Sequence, residues 1–144
     1  MWQATHERHY PNLSAASVFA LWADVNRWHD WDRDIEYARL EGPFTAGARF
    51  ELKPKGGPRV ALTFVRVEPL KGYTDLLRFP LARMYGIHDV EERTGGVTLR
   101  IRIRVEGPLA WLWRRLVAQK IADEAPAQMD ALARHASTGL ERAA

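Results

Sequence analysis

Among the side chains able to move a proton or hold a ligand, His88 keeps the most suggestive company. It falls in phase with Met84, Gly86 and Val90 on an alternating segment, and so shares their inward face. A neutral imidazole there could orient a carbonyl or hydroxyl, or serve as acid or base near neutral pH. It could equally be a core histidine satisfied by a neighbouring strand. Asp75 and Tyr73 share a phase with Leu77 and can reach the same space or its rim, and Tyr37 follows Ile35 in phase with a phenol to offer. These groups form no nucleophile, base and orienter set. His88 is left as the one candidate for a catalytic proton carrier.

Other chemistries find no support. Asp30, Asp32, Asp34 and Glu41 reproduce the acidic spacing of a calcium loop, but Ile35 stands where the sharp turn requires glycine. His6 and His9 sit three apart on a strand, hence on opposite faces, and no H-x-x-x-H pair exists. The glycines form no phosphate-cradling pattern, and no serine sits in G-x-S-x-G. Without cysteine, the chain has no disulfide, thiolate nucleophile or cysteine-ligated zinc. The expectation is no metal and no cofactor.

Composition narrows the partners. With 144 residues, 47% hydrophobic and 27% charged, the chain reads as one globular domain, 1–144. The pI is about 9.5, yet 18 acidic residues are interspersed with 21 basic ones. The one dense basic set is Arg100, Arg102, Arg104, Arg114 and Arg115. It is either a solvated outer sheet face, with arginine stems lying on the sheet, or a contact for a polyanion or anionic membrane. No aromatic is interleaved on that face, so base stacking has no platform and no nucleic acid is expected. No apolar run approaches the ~20 residues that span a bilayer. Met1 to Glu7 lacks a basic-then-apolar leader. A cytoplasmic location is expected; oligomeric state is open.

Alternation must position these groups. Val97, Leu99, Ile101, Ile103 and Val105 take one face of a strand; Thr98, Arg100, Arg102 and Arg104 take the other. Gly107-Pro108 stops it, and apolar periodicity predicts a helix from Pro108 to about Arg134. At ~1.5 Å per residue that helix is roughly 40 Å long and spans a concave sheet. Its inward stripe reads as Trp113, Val117, Ile121, Ala125, Gln128 and Leu132, widened by Leu109, Leu112 and Leu116. Pro126 inside it predicts a kink or break. Upstream, Ala4 to Tyr10 reads as a strand, Ser14 as the N-cap of a short helix, and Asp24 as the cap of a second turn through Trp28. Strands follow at Ile35 to Leu40, Ala48 to Lys53, Arg59 to Glu68, Tyr73 to Phe79 and Leu81 to Glu92. Short Gly- and Pro-containing turns join them, so neighbours run antiparallel.

Four motifs, in order along the chain, carry a family resemblance. They are Trp28-His29-Asp30-Trp31-Asp32, then Leu40-Glu41-Gly42-Pro43-Phe44-Thr45-Ala46-Gly47, then His88-Asp89-Val90 with Gly95-Gly96-Val97-Thr98, and finally Gly107-Pro108-Leu109-Ala110. With the element order they resemble the START-related and birch-pollen-allergen superfamily, in its bacterial polyketide cyclase/dehydrase-like branch. The resemblance implies an α+β helix-grip fold, a curved antiparallel sheet wrapped around a long C-terminal helix, with a cavity between them. Members include lipid and hormone carriers and aromatase/cyclases, without a universal catalytic residue, so fold does not settle function.

Alternation nominates the lining of such a cavity. Ile35, Phe50, Phe64, Leu77, Met84, Ile101 and Ile103 point inward, Trp113 and Val117 come from the helix, and Trp28 and Trp31 close one end. These residues either line a cavity or simply fill the core, and a site of roughly 300 Å³ must survive the packing of six tryptophans. The leading reading is binding of a small hydrophobic molecule (aromatic, polyketide, lipid or isoprenoid-like), oriented by His88 with Tyr37 or Asp75. One alternative is a cyclase or dehydratase-type enzyme that holds a flexible substrate in a reactive shape in the same cavity. The other is a non-catalytic protein docking through its arginine-rich outer sheet face.

Overall fold

The computed structural model describes the backbone of residues 1–143 and the side chains of 1–138; Ala144, the last residue of the expected domain, lies outside the described residues. In chain order come β1 (Trp2–Pro11), α1 (Ala15–Ala23), a 3-10 turn (Val25–Asp30), β2 (Ile35–Leu40), β3 (Arg49–Pro54), β4 (Val60–Glu68), β5 (Gly72–Phe79), β6 (Ala82–Arg93) and β7 (Gly96–Glu106). A composite C-terminal helix follows: α2 (Ala110–Trp113), a π-helical turn (Arg114–Ala118) and α3 (Gln119–Ala143). Ser14 caps α1 reciprocally, accepting from the Ser17 backbone while the Ser17 hydroxyl accepts from its own. Asp24 precedes the 3-10 turn as expected, but its side chain makes no capping bond.

All seven strands join one antiparallel sheet in the order β1-β7-β6-β5-β4-β3-β2. The inward set Val97, Leu99, Ile101, Ile103 and Val105 is buried throughout. On the convex face, Arg100 meets Glu7 at 2.7 Å, Arg102 meets Asp89 at 3.4 Å and Arg104 lies 3.9 Å from Glu106. Arginine and acid neutralise each other across neighbouring strands, so this face carries little free positive charge. Register shifts at Ile35/Tyr37 and Phe64/Arg66 bend the sheet. This is the helix-grip arrangement, with the C-terminal helix laid across β1 and β7 and beside α1. No helix among the described residues is long and apolar enough to cross a membrane.

The helix keeps the later part of its expected inward stripe, with Ala125 and Leu132 buried, and departs from it in its first turns. Its buried stripe is Ala118, Ala122, Ala125, Met129, Leu132, Ala133 and Ala136. The π-helical turn carries more residues per turn than an α-helix and rotates everything after it. Leu116 and Ile121 are thereby turned outward, 63% and 37% exposed, while Ala122 keeps 1%. Pro126 does not break α3, which runs through it unbroken. A proline costs about 3 kcal/mol in a helix interior, and burial of Ala125 and Met129 on either side holds this one to the sheet. A stripe of alanines also brings helix and sheet close together, because the side chains at a contact set the separation.

The start of the composite helix is anchored separately. Gly107 adopts φ +111°, and a Cβ there would stand 2.6 Å from the Leu81 carbonyl oxygen, so only glycine fits. The Leu109 backbone N–H then donates to that same carbonyl. Trp113 stacks on Phe79 with ring centres 4.4 Å apart, and its indole N–H donates to the Pro80 carbonyl at 2.9 Å.

Candidate functional site

Inward-facing aromatic residues pack the end of the sheet beneath α1 and the 3-10 turn. Phe50 stacks on Phe64 at 4.2 Å, Trp28 meets both edge-on, and the Trp28 indole N–H donates to the Trp22 carbonyl. Tyr73 continues the cluster and stacks flat on His88, with ring centres 4.4 Å apart. Cross-strand pairing sets that stack, since Tyr73 on β5 lies opposite His88 on β6. Trp22 meets both stacked rings edge-on, at 5.4 Å from Tyr73 and 6.1 Å from His88.

His88 is 8% exposed, and its Nδ1 is buried without a hydrogen-bond partner. Burial pushes its pKa down to about 4, and the smaller opposing influences of the Gly86 backbone and Asp89 do not restore it. The ring is neutral at pH 7. Asp75 lies one inward position along β5, opposite Gly86. Its carboxyl occupies the space a side chain at 86 would need, since a Cβ there would stand 2.8 Å from Oδ1. Burial pushes this carboxyl up to about 7, against a lowering hydrogen bond from the Gly86 backbone. Burial, reinforced by the Asp75 and Asp32 carboxylates, also drives the Tyr73 phenol well above its ordinary value.

Asp32 supplies a further buried carboxyl. It accepts from Gln128 Nε2 of α3 at 2.8 Å and from the Asp34 backbone at 3.0 Å. Burial raises its pKa, and the Gln128 bond opposes the rise. Asp30 points elsewhere, to Arg27 and His29. Among the described residues no three acidic or histidine side chains converge on a metal position.

Where α3 meets the sheet lies a void of about 10 Å³, walled by Trp22, Trp31, His88, Leu99, Ile101, Gln128, Met129 and Leu132. A single water needs about 10–15 Å³ and an ordinary ligand site about 300 Å³. Of the two alternatives, cavity or filled core, this position holds only a narrow seam. The alanine stripe is the physical reason.

The seam gathers only some of the residues nominated from sequence. Trp31, His88 and Ile101 wall it. Trp28, Phe50 and Phe64 form the adjoining aromatic cluster, and Ile35, Met84 and Ile103 are buried in the core. Leu77, Trp113 and Val117 are half-buried at its margin. Tyr37 does not point inward. The register shift between Ile35 and Tyr37 reverses its side, and its hydroxyl donates to Glu51 at 3.0 Å on the convex face. Trp22, Leu99, Gln128, Met129, Leu132 and Asp32 went unnominated. A glutamine within an otherwise apolar helical stripe, and the aspartate closing the Trp28-to-Asp32 motif, were the available signals.

Residues 1–137 match the family model described as polyketide cyclase/dehydrase and lipid transport. That description supports binding of hydrophobic molecules in general. No curated protein matches the sequence. Among solved structures, the hypothetical protein jhp0584 from Helicobacter pylori superposes with a TM-score of 0.75 at 15% identity, over 94% of this chain and 88% of that one. Ara h 8.0201 gives 0.69 at 14% identity, over 95% and 99%. BexL, a di-domain ARO/CYC protein from the BE-7585A biosynthetic pathway, gives 0.72 at 16% identity, over 93% of this chain and 46% of its own. At such identities the likeness is one of fold.

Proposed function

We propose that this chain, which belongs to the polyketide cyclase/dehydrase and lipid transport family, binds a small hydrophobic molecule bearing one hydroxyl or carbonyl group. The observation that carries the reading is His88, which walls the seam and whose Nδ1 is buried without a hydrogen-bond partner. A neutral imidazole nitrogen in that position recognises one polar group on an otherwise apolar guest. Flat walls from Trp22 and Trp31, with Leu99, Ile101, Met129 and Leu132, suit an aromatic or similarly planar body.

Entry requires α3 to lift from the sheet. Its inner stripe is mostly alanine, which gives little apolar area to separate. The π-helical turn supplies a joint at its start, as irregular helical turns do. The Asp32–Gln128 hydrogen bond and the contact of Asp130 with Arg8 and Tyr10 would be broken or stretched.

A second reading rests on Asp75. A carboxyl with a pKa of about 7 can both take and give a proton at neutral pH, which suits cyclase or dehydratase-type chemistry on a bound polyketide-like substrate. It predicts that Asp75→Asn abolishes turnover while binding persists.

Titration with naphthalene and with 2-naphthol, followed by backbone amide NMR shifts, tests the binding reading. The hydroxylated molecule should bind at least about fivefold tighter, the worth of one net hydrogen bond, and His88→Phe should erase the preference. No binding by either, or equal binding by both, overturns the proposal.

A further inference from the structure

Positive charge gathers on the first turns of the C-terminal helix, just ahead of the acidic pair Asp123 and Glu124. From Leu109 to Ala122 the chain carries Arg114, Arg115 and Lys120 and no acidic residue. Arg115 is exposed and has no acidic partner among the described residues. Lys120 lies 3.9 Å from Glu124, with its side chain 80% exposed. Arg114 lies over the Trp2 ring at 5.1 Å and donates to Gln119.

Large apolar side chains stand among these cations. Trp111 is 59% exposed and Leu116, as noted, is turned outward by the π-helical turn, with Ile121 following it. Trp111, Arg114, Arg115 and Gln119 border an open groove of about 620 Å³. Fully burying one such apolar side chain is worth roughly 1.5–3 kcal/mol, so the fold leaves substantial apolar surface unused on this one face.

A nucleic acid would engage the arginines but leave Leu116 and Ile121 in water. A lipid surface uses every part of the pattern. Indole rings settle at headgroup depth, aliphatic side chains reach the acyl boundary, and arginine and lysine heads remain at the lipid phosphates. Arg114 and Arg115, which form no ion pair among the described residues, suit an anionic surface in particular.

We propose that the face formed by Trp111, Arg114, Arg115, Leu116 and Lys120 docks on an anionic lipid bilayer. The apolar pair enters the interface and the cations bind the headgroups. Docking of this kind is independent of what the interior holds.

Vesicle co-sedimentation tests it, with phosphatidylcholine alone and with about 30 mol% phosphatidylserine added. The protein should partition onto the anionic vesicles and be released by salt. Arg115→Gln should weaken partitioning roughly fivefold, and Lys120→Gln likewise. Trp111→Ser with Leu116→Ser should weaken it at least about tenfold. Arg100→Gln, on the charge-paired sheet face, should leave it unchanged. These side chains are exposed, so circular dichroism and melting temperature should match the parent and keep the result interpretable. Absence of partitioning, equal partitioning onto neutral vesicles, insensitivity to the Trp111/Leu116 change, or tighter binding to duplex DNA than to anionic vesicles would each overturn the proposal.

Discussion

Replacing His88 with phenylalanine should make the protein more stable at neutral pH. The imidazole Nδ1 is buried without a partner, and an unsatisfied buried polar atom costs roughly 1–3 kcal/mol. Phenylalanine keeps the flat stack on Tyr73, at 4.4 Å between ring centres, and the modest crowding of its larger ring takes back part of that gain. The expected gain is about 1–2 kcal/mol, or roughly 3–8 °C in melting temperature. Acid should enlarge it. Burial holds the His88 pKa at about 4 in the folded chain, against about 6.5 when unfolded. Between those values the unfolded chain binds the additional proton, so the histidine's contribution is present above about pH 6.5 and lost toward pH 4. By about pH 4.5 the loss is on the order of 2–3 kcal/mol. Asp75 acts in the opposite sense. Its raised folded pKa of about 7 means stability present in acid is lost as pH climbs from its ordinary carboxylate range toward 7. The two slopes mask each other in the parent, and the difference between parent and His88→Phe isolates the histidine. Urea unfolding of both proteins, at neutral pH and near pH 4.5, reads that difference directly. A variant less stable than the parent at neutral pH, or a gap that acid leaves unchanged, refutes the reasoning.

Two further substitutions probe the site and the helix phase. Gly86→Ala places a methyl 2.8 Å from Asp75 Oδ1; the carboxyl should swing toward solvent and its pKa fall from about 7, read by carboxyl-carbon NMR, and an unmoved midpoint contradicts its placement. Ala122→Gln should cost about 2–4 kcal/mol in urea unfolding, through overpacking and a buried amide, whereas Ile121→Gln should stay within about 0.5 kcal/mol. The reverse order would mean that the helix keeps the phase its sequence suggests.

Strands were legible because side chains on a pleated backbone alternate strictly, and the Val97-to-Val105 pattern admits one inward face. The same rule failed at Tyr37, where one irregular step of backbone reverses the side every later residue faces. Such a step leaves no mark in the residue types Ile35-Glu36-Tyr37. The helix departed from its expected phase in its first turns, for a related reason. Arg114 to Ala118 has ordinary helix-forming composition, so nothing announces the wider turn that moves Ile121 outward and Ala122 inward. That shift also set the fate of the interior. Alanine counts for little in apolar periodicity, yet a stripe of it decides how close helix and sheet come, and so whether space remains between them. His88, Asp75 and Tyr73 were found because they share the sheet's alternation; Asp32 and Gln128 meet only through tertiary packing.

A crystal structure of the protein grown with 2-naphthol tests most directly whether the seam opens for a guest. It should show the hydroxyl within about 3.2 Å of His88 Nδ1, the rings between Trp22 and Trp31, and α3 drawn away from β7. Naphthol bound only outside, with α3 still seated against the sheet and Nδ1 still alone, would contradict the account.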